Sequence, residues 1–228
     1  MNRHRFEIVL FAALFVPFVA FFLWQTPSLW RRPLTPAEID RYAAAMEEHI
    51  VQSPAEKADF IDRVRKWAAG DDGRPVLLLN LMRFREGLGE LPPGTDFAGS
   101  PLESNDYYEG RVAPLALKRG EYPLVGGAAQ APSLTPLDPA TDHWDRIMIM
   151  RAPSRRAFIE FMADPAYGPL APYKLAATEL VLIPVDAELL VPDLRLVVGG
   201  LLLTVYLFVC WRRAARALDR ERRTPSQG

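Results

Sequence analysis

The chain has 228 residues, half of them hydrophobic, and its 27 basic and 28 acidic side chains leave a formal net charge of −1. Segment 25–192 has 18 basic and 24 acidic residues and shows no basic stripe, which argues against a nucleic-acid partner. The single cysteine, Cys210, excludes an intramolecular disulfide. The hydrophobic residues are concentrated in two uncharged runs near the ends of the chain.

The first uncharged run, residues 8–24, predicts a transmembrane helix over residues 6–24. Seventeen helical residues extend about 26 Å, close to a bilayer core of about 30 Å. Pro17 lies inside the run and is tolerated in a membrane helix. The alternative is a cleaved signal peptide. The run is longer than the usual apolar region of such peptides and no A-x-A-like site precedes residues 21–24, which favours an uncleaved anchor.

The second run, residues 196–211, predicts a transmembrane helix over residues 194–211 that begins at Asp193 as its N-cap. A buried core helix is the alternative, and the arginine-rich tail that follows, residues 212–228, argues against it. Such a basic tail is expected in the cytoplasm, where it can contact anionic headgroups. Two spans place both termini on one side, so we expect a bacterial inner-membrane protein whose central segment, residues 25–192, is extracytoplasmic. The lipid bilayer is therefore its first expected partner.

Residues 35–70 predict a helical hairpin. Thr-Pro-Ala-Glu begins residues 35–52 and Ser-Pro-Ala-Glu begins residues 53–70. A hydroxyl residue followed three positions later by glutamate is a capping box, and proline suits the first helical position. Gly70 can terminate the second helix.

Residues 75–185 alternate strand and helix patterns in the order β-α-β-β-α-β. This order predicts an α+β domain with a ferredoxin-like, four-stranded antiparallel sheet and helices on one face. The predicted strands are residues 75–84, 121–127, 144–151 and 179–185, and the predicted helices are residues 104–119, 154–162 and 164–178.

Both faces of the predicted sheet are apolar. In the first strand Leu78 and Met82 point to one face, whereas Leu77, Leu79 and Leu81 point to the other. The domain's own helices cover one face, so the other must be covered by a second copy, by the N-terminal helices 36–69 or by another protein. We favour a second copy, whose sheet would close a barrel-like homodimer around an internal cavity.

The motifs PVLLLNLMRFRE, SNDYYEGRVAPL, VGG, WDRIMIMRAPSRRAFIEFMADPAY and LIPV give residues 75–185 a resemblance to a known family. They resemble an uncharacterised family of small bacterial proteins similar to the EthD-like members of the dimeric α/β-barrel superfamily. The resemblance implies a ferredoxin-like fold and a sheet-to-sheet dimer, and it implies no known reaction. The chain departs from the family in its membrane helices, its extra helices 36–69 and its long loops 85–103 and 128–142.

No nucleotide-binding, zinc-protease, thiol-redox or serine-hydrolase motif is present, and three histidines predict no metal site within one chain. No cofactor is expected. His143 is the candidate catalytic residue because its ordinary pKa, about 6.5, suits acid–base work. The alternative is a solvated histidine at the end of a loop.

Asn80 and Arg83 are polar residues in the first predicted strand. Asn80 is predicted either to anchor a ligand in the cavity or to bond to neighbouring backbone or to Asp145, because an unpaired buried amide costs about 1–3 kcal/mol. Arg83 is predicted either to bind a ligand carboxylate or to form a salt bridge at the rim. The remaining candidate ligand-binding residues are Tyr107, Trp144, Asp145 and Tyr167, whereas Tyr108 is predicted to be a core residue.

Three functions fit these patterns. The first is a membrane-tethered domain that binds a small, mostly apolar molecule. The second is a cofactor-free oxygenase or isomerase that uses His143, Asn80 or a tyrosine for proton transfer. The third is a structural module whose sheet docks on a partner membrane protein. We favour the first.

Overall fold

The computed structural model describes residues 3–50, 52–138, 141–186 and 193–223. It divides into a terminal unit, formed by residues up to 25 and from 189 onward, and a central unit, residues 26–188. In chain order the elements are α1 (Arg3–Trp24), α2 (Pro36–His49), α3 (Pro54–Ala68), β1 (Val76–Phe84), α4 (Pro101–Lys118), β2 (Tyr122–Ala128), β3 (Arg146–Ala152), α5 (Arg155–Met162), α6 (Ala171–Ala177), β4 (Thr178–Asp186) and α7 (Leu194–Arg223).

The terminal unit consists of α1 and α7, and both helices are long and apolar enough to cross a membrane, over Arg5–Trp24 and Leu194–Leu218. The rings of Phe11 and Tyr206 meet edge to face with centroids 5.8 Å apart. Helix α7 continues past the predicted membrane segment to Arg223, since the intervening residues are mostly good helix formers without glycine or proline. The rest of the predicted tail, residues 224–228, lies outside the described residues.

The capping boxes predicted for α2 and α3 are confirmed, with Thr35 paired to Glu38 and Ser53 paired to Glu56. Both helices contact α5, and their apolar side chains join the core beneath it. The hairpin therefore belongs to the helical layer of the central unit. It does not cover the free face of the sheet, which removes one of the three coverings considered for that face.

The strands form one antiparallel sheet in the order β2-β3-β1-β4. Asn80 pairs with Met148 of β3 and with Leu182 of β4. Val76, Leu78 and Met82 share the face of Asn80 and are buried under α4, α5 and α6. The α+β class and the four-stranded antiparallel sheet with helices on one face are as predicted.

The opposite face of the sheet is apolar and open. Ile183 is 42% exposed, Val181 and Val185 are exposed to a similar degree, and Leu79 and Ile149 are half-buried. Exposed apolar side chains on neighbouring strands form a contiguous patch, which monomeric soluble proteins seldom leave uncovered.

Three predicted element boundaries are wrong. Helix α4 starts at Pro101 rather than Ser104, because Ser100 and Glu103 form a third capping box. Strand β3 starts at Arg146 rather than Trp144. The helix predicted from residue 164 forms only over Ala171–Ala177, since the Asp164 carboxylate accepts a hydrogen bond from the Ala166 amide at 2.9 Å and closes a turn there.

Candidate functional site

A cavity of about 220 Å³ lies between the helical face of the sheet and the helices α4, α5 and α6. Its walls are mainly apolar, with Leu78, Val112 and Phe158 among them. Six polar or partly polar side chains also line it: Asn80, Tyr108, Glu109, Glu121, Tyr167 and Lys174. This cavity lies inside one chain, on the helical side of the sheet, and a cavity between the sheets of two copies stays a prediction.

Asn80 and Lys174 meet inside the cavity although 94 residues separate them. The Lys174 ammonium donates to Asn80 Oδ1 at 3.1 Å. Asn80 Nδ2 donates in turn to the carbonyl oxygens of Leu78 at 3.1 Å and Met148 at 3.5 Å. Asn80 is therefore held on both sides, by backbone and by Lys174, and it fixes the position of the ammonium group.

Lys174 is 9% exposed, and its burial lowers the pKa of its amine to about 8. Among the described residues no carboxylate lies within 4.0 Å of Lys174 Nζ. Glu109 acts on it from further away and is itself bound to Arg146 at 3.0 Å. The ring centroid of Tyr108 is 5.3 Å from Nζ, close enough for a cation–π contact.

Glu121 is the second buried ionisable residue that lines the cavity. It is 2% exposed, and within the described ranges its Oε1 has no hydrogen-bond partner. Burial raises the pKa of its carboxyl to about 8, and the nearby Arg119 only partly opposes this. Glu121 is accordingly protonated and neutral at pH 7.

Tyr108 and Tyr167 lie beside these groups, with ring centroids 6.5 Å apart. Burial raises the pKa of both phenols, so both hydroxyls stay protonated at neutral pH. Chemically, the cavity combines the Lys174 cation, the Glu109 carboxylate that is already paired with Arg146, and neutral hydrogen-bonding groups on an apolar background. This combination can orient a small molecule by one polar end. It also places two groups with a pKa of about 8, Lys174 and Glu121, in the lining of one cavity.

A larger groove of about 990 Å³ adjoins the cavity. It is lined by the connection between α2 and α3, the loop after β1, and parts of α6 and β4. Tyr167, Lys174, Leu180 and Leu182 line both spaces. These four residues form a wall that the groove and the cavity share.

Of the candidate residues named from the sequence, Asn80 and Tyr167 line the cavity. Arg83 projects from the opposite face of the sheet and forms an ion pair with Glu179. Tyr107 lies outside the cavity, where its ring packs against Tyr173 with centroids 4.4 Å apart.

His143, Trp144 and Asp145 precede β3 and line neither the cavity nor the groove. Asp145 Oδ2 accepts from the Phe84 amide at 2.7 Å, so this carboxylate fastens the end of β1. His143 and Asn80 are therefore not brought together in one pocket. Asp145 is likewise not the partner of Asn80, whose amide bonds to backbone and to Lys174.

Sequence reasoning missed Lys174, Glu121 and Glu109. A signal existed for Lys174, since it is the one charged residue in the otherwise apolar segment 171–177. Glu121 lies between Gly120 and the first residue of β2, where the pattern gives no indication of burial. No cluster of three or more histidine, cysteine or acidic residues able to hold a metal occurs in the parts of the chain that the structure describes.

No family model and no curated protein matches this chain. It is similar to the crystal structure of the methylated RPA0582 protein, with 26% identity over 64% of this chain and 98% of that chain and a TM-score of 0.48. A second structure of RPA0582, a protein of unknown function from Rhodopseudomonas palustris, gives 25% identity over 62% and 98% of the two chains and the same TM-score. SnoaB, a cofactor-independent oxygenase from Streptomyces nogalater, is 16% identical over 52% of this chain and 98% of that chain, with a TM-score of 0.34. These likenesses cover part of the chain and assign it no function.

Proposed function

We propose that this protein is a membrane-anchored, extracytoplasmic domain that binds a small, mostly apolar molecule in the cavity beneath α4, α5 and α6. The observation that supports the proposal is the cavity itself, with apolar walls and a few convergent polar groups, which is the usual make-up of a small-molecule site. The anchor would be α1 and α7, with both termini in the cytoplasm of a bacterial cell.

The proposal includes a ferredoxin-like, dimeric α/β-barrel arrangement for the central unit. Its support is the open apolar sheet face of Leu79, Ile149 and Ile183, which a second copy could cover with an identical surface. In this arrangement the dimer hides the outer face of each sheet, while each chain keeps its own cavity on the helical side.

A second candidate function is a cofactor-free oxygenase or isomerase. It is favoured by Glu121 and Lys174, because both line one cavity and both have a pKa of about 8. Groups that titrate near the working pH are suited to proton transfer. His143 is not part of this candidate site, because it lines neither the cavity nor the groove.

Native mass spectrometry of the full-length protein, released gently from its membrane, tests the binding proposal. We expect a small-molecule adduct on the wild-type chain. Ala116→Phe places a ring in the cavity wall and should remove the adduct, whereas Leu117→Phe, on the exposed side of α4, should keep it.

Thermal unfolding of both variants shows whether each is folded. An adduct of equal occupancy in folded Ala116→Phe would contradict the proposal, and so would a wild-type chain without any adduct. A stoichiometric partner protein in place of a small molecule would favour the structural-module alternative.

A further inference from the structure

The cavity holds a buried positive charge, the Lys174 ammonium, that has no carboxylate within 4.0 Å among the described residues. Lys174 is 9% exposed and its ammonium donates to a neutral group, Asn80 Oδ1, at 3.1 Å. Taking an ammonium out of water costs several kcal/mol unless an opposite charge compensates it. A position at the wall of an apolar cavity makes that charge available to whatever occupies the cavity.

The acidic residues around the cavity do not supply the missing charge. The Glu109 carboxylate is engaged on both oxygens, by Arg146 Nη2 at 3.0 Å and by Asn105 Nδ2 at 3.0 Å. Glu121 is buried and neutral at pH 7. Tyr108 and Tyr167 are neutral as well, so the lining carries one uncompensated positive charge.

We propose that the occupant carries one anionic oxygen, as a carboxylate, phenolate or enolate, on a small apolar body, and that Lys174 is its ion-pair partner. This inference rests on the proposed binding function and specifies its ligand class. Lysine has three N–H donors, and Asn80 accepts one of them, which leaves two that can be directed at a ligand oxygen.

The other polar groups fit an anion better than a cation. The protonated carboxyl of Glu121 can donate a hydrogen bond to an oxyanion without repelling it, and so can the phenol of Tyr167, which accepts from Tyr108. The volume of about 220 Å³ is below the usual range for drug-sized ligands, about 300–1,000 Å³. The apolar body is therefore limited to a single ring or a short chain.

Calorimetric titration of the full-length protein in detergent, with charged and neutral probes of matched shape, tests the inference. The probes are benzoate against benzamide and hexanoate against hexanamide. At pH 7 we expect each acid to bind at least tenfold more tightly than its amide. Lys174→Met should remove that preference while changing the affinity for the amides less than threefold, and Lys118→Met, an exposed change on α4, should leave both unchanged.

A second measurement needs no variant of Lys174. The amine of Lys174 and the carboxyl of Glu121 both have a pKa of about 8, so raising the pH through 8 removes the cation and adds a carboxylate. The affinity of the wild-type protein for benzoate should therefore fall, and a fall that persists in Glu121→Gln assigns it to Lys174, while the affinity for benzamide stays level. This pH measurement tests the inference even if the Lys174→Met protein fails to fold.

The outcomes separate the two proposals. Equal affinity for acids and amides in the wild-type protein would overturn the oxyanion inference and leave the binding function standing. An acid preference that persists in folded Lys174→Met would also overturn it. If neither acids nor amides bind at millimolar concentration, both proposals fail.

Discussion

Arg156 of α5 and Glu38 of α2 form a two-point ion pair across 118 residues of sequence. Arg156 Nη1 donates to Glu38 Oε1 at 3.0 Å, and Nη2 donates to Oε2 at 3.1 Å. The same Glu38 completes the capping box by accepting from the Thr35 amide at 2.9 Å. One carboxylate therefore starts a helix and fastens that helix to the layer over the sheet, and its hydrogen bonds with Arg156 hold its pKa well below the ordinary value.

Glu38→Gln should destabilise the central unit by about 2 kcal/mol, because the charge-assisted bonds to a buried guanidinium are lost. Glu56→Gln is the matched control, since it changes the same position of an exposed capping box, and it should cost about 0.5 kcal/mol. Urea unfolding measures both.

The Glu38 contribution also has a pH signature. A depressed carboxyl pKa stabilises the folded state above the ordinary value of about 4.3, and this stability is lost as the pH falls further toward the folded-state pKa. Glu38→Gln should lose less stability than the wild-type protein on acidification from pH 5. Equal losses would show that the ion pair does not contribute as described.

The buried carboxyl of Glu121 should give the opposite pH dependence. Its pKa is raised to about 8, so the folded protein holds a proton that the unfolded chain releases above about 4.3. The contribution of this proton to the free energy of unfolding is complete below pH 4. It is lost as the pH rises to 8, by about 1.4 kcal/mol per pH unit. Glu121→Gln should remove this slope in thermal unfolding between pH 5 and 8, whereas the exposed change Glu90→Gln should preserve it. An unchanged slope in Glu121→Gln would refute the assignment.

Ile183→Glu should separate the proposed dimer into monomers, because it places a charge on the apolar sheet face that a second copy would cover. Leu117→Glu, at an exposed leucine on α4, should leave the dimer intact. Sedimentation of the detergent-solubilised chains distinguishes the two masses. A wild-type protein that is monomeric at micromolar concentration would rule out the sheet-to-sheet dimer.

The proposed topology predicts where a membrane-impermeant thiol reagent reacts. In a Cys210→Ser background, Leu134→Cys should be labelled from outside on intact spheroplasts, because Leu134 is 98% exposed in the central unit. Ser226→Cys, beyond the described residues, should be labelled only after the membrane is opened. The reverse labelling pattern would place the central unit in the cytoplasm.

The elements were predictable because their signals are local. Each of the Pro-containing capping boxes, at Thr35 and at Ser53, spans only four residues of sequence. The alternation in β1 correctly predicted that Leu78 and Leu79 lie on opposite faces of the sheet. Boundaries failed where two local signals compete, as at Ser100 and Ser104, both of which are able to cap a helix.

The site was much less predictable, because it depends on pairs that only the fold creates. Asn80 was identified as a buried amide needing partners, but its partner Lys174 is 94 residues away on a different element. His143 is close in sequence to a sheet strand and still lies outside the cavity, since β3 begins only at Arg146. Residue types alone suggested which side chains could bind a ligand. Only the fold shows which of those side chains face the cavity.

The cavity can form only once β1 has paired with both β3 and β4. Its first residue, Val76, pairs with Ala152 on one side and with Asp186 on the other, so both closures span long loops. The capped starts of α2, α3 and α4 need no such closure and can form as soon as those segments are free. A chain that stops short of Thr178–Asp186 would lack the strand that supplies Leu180 and Leu182 to the cavity, and so would have no closed place for an occupant.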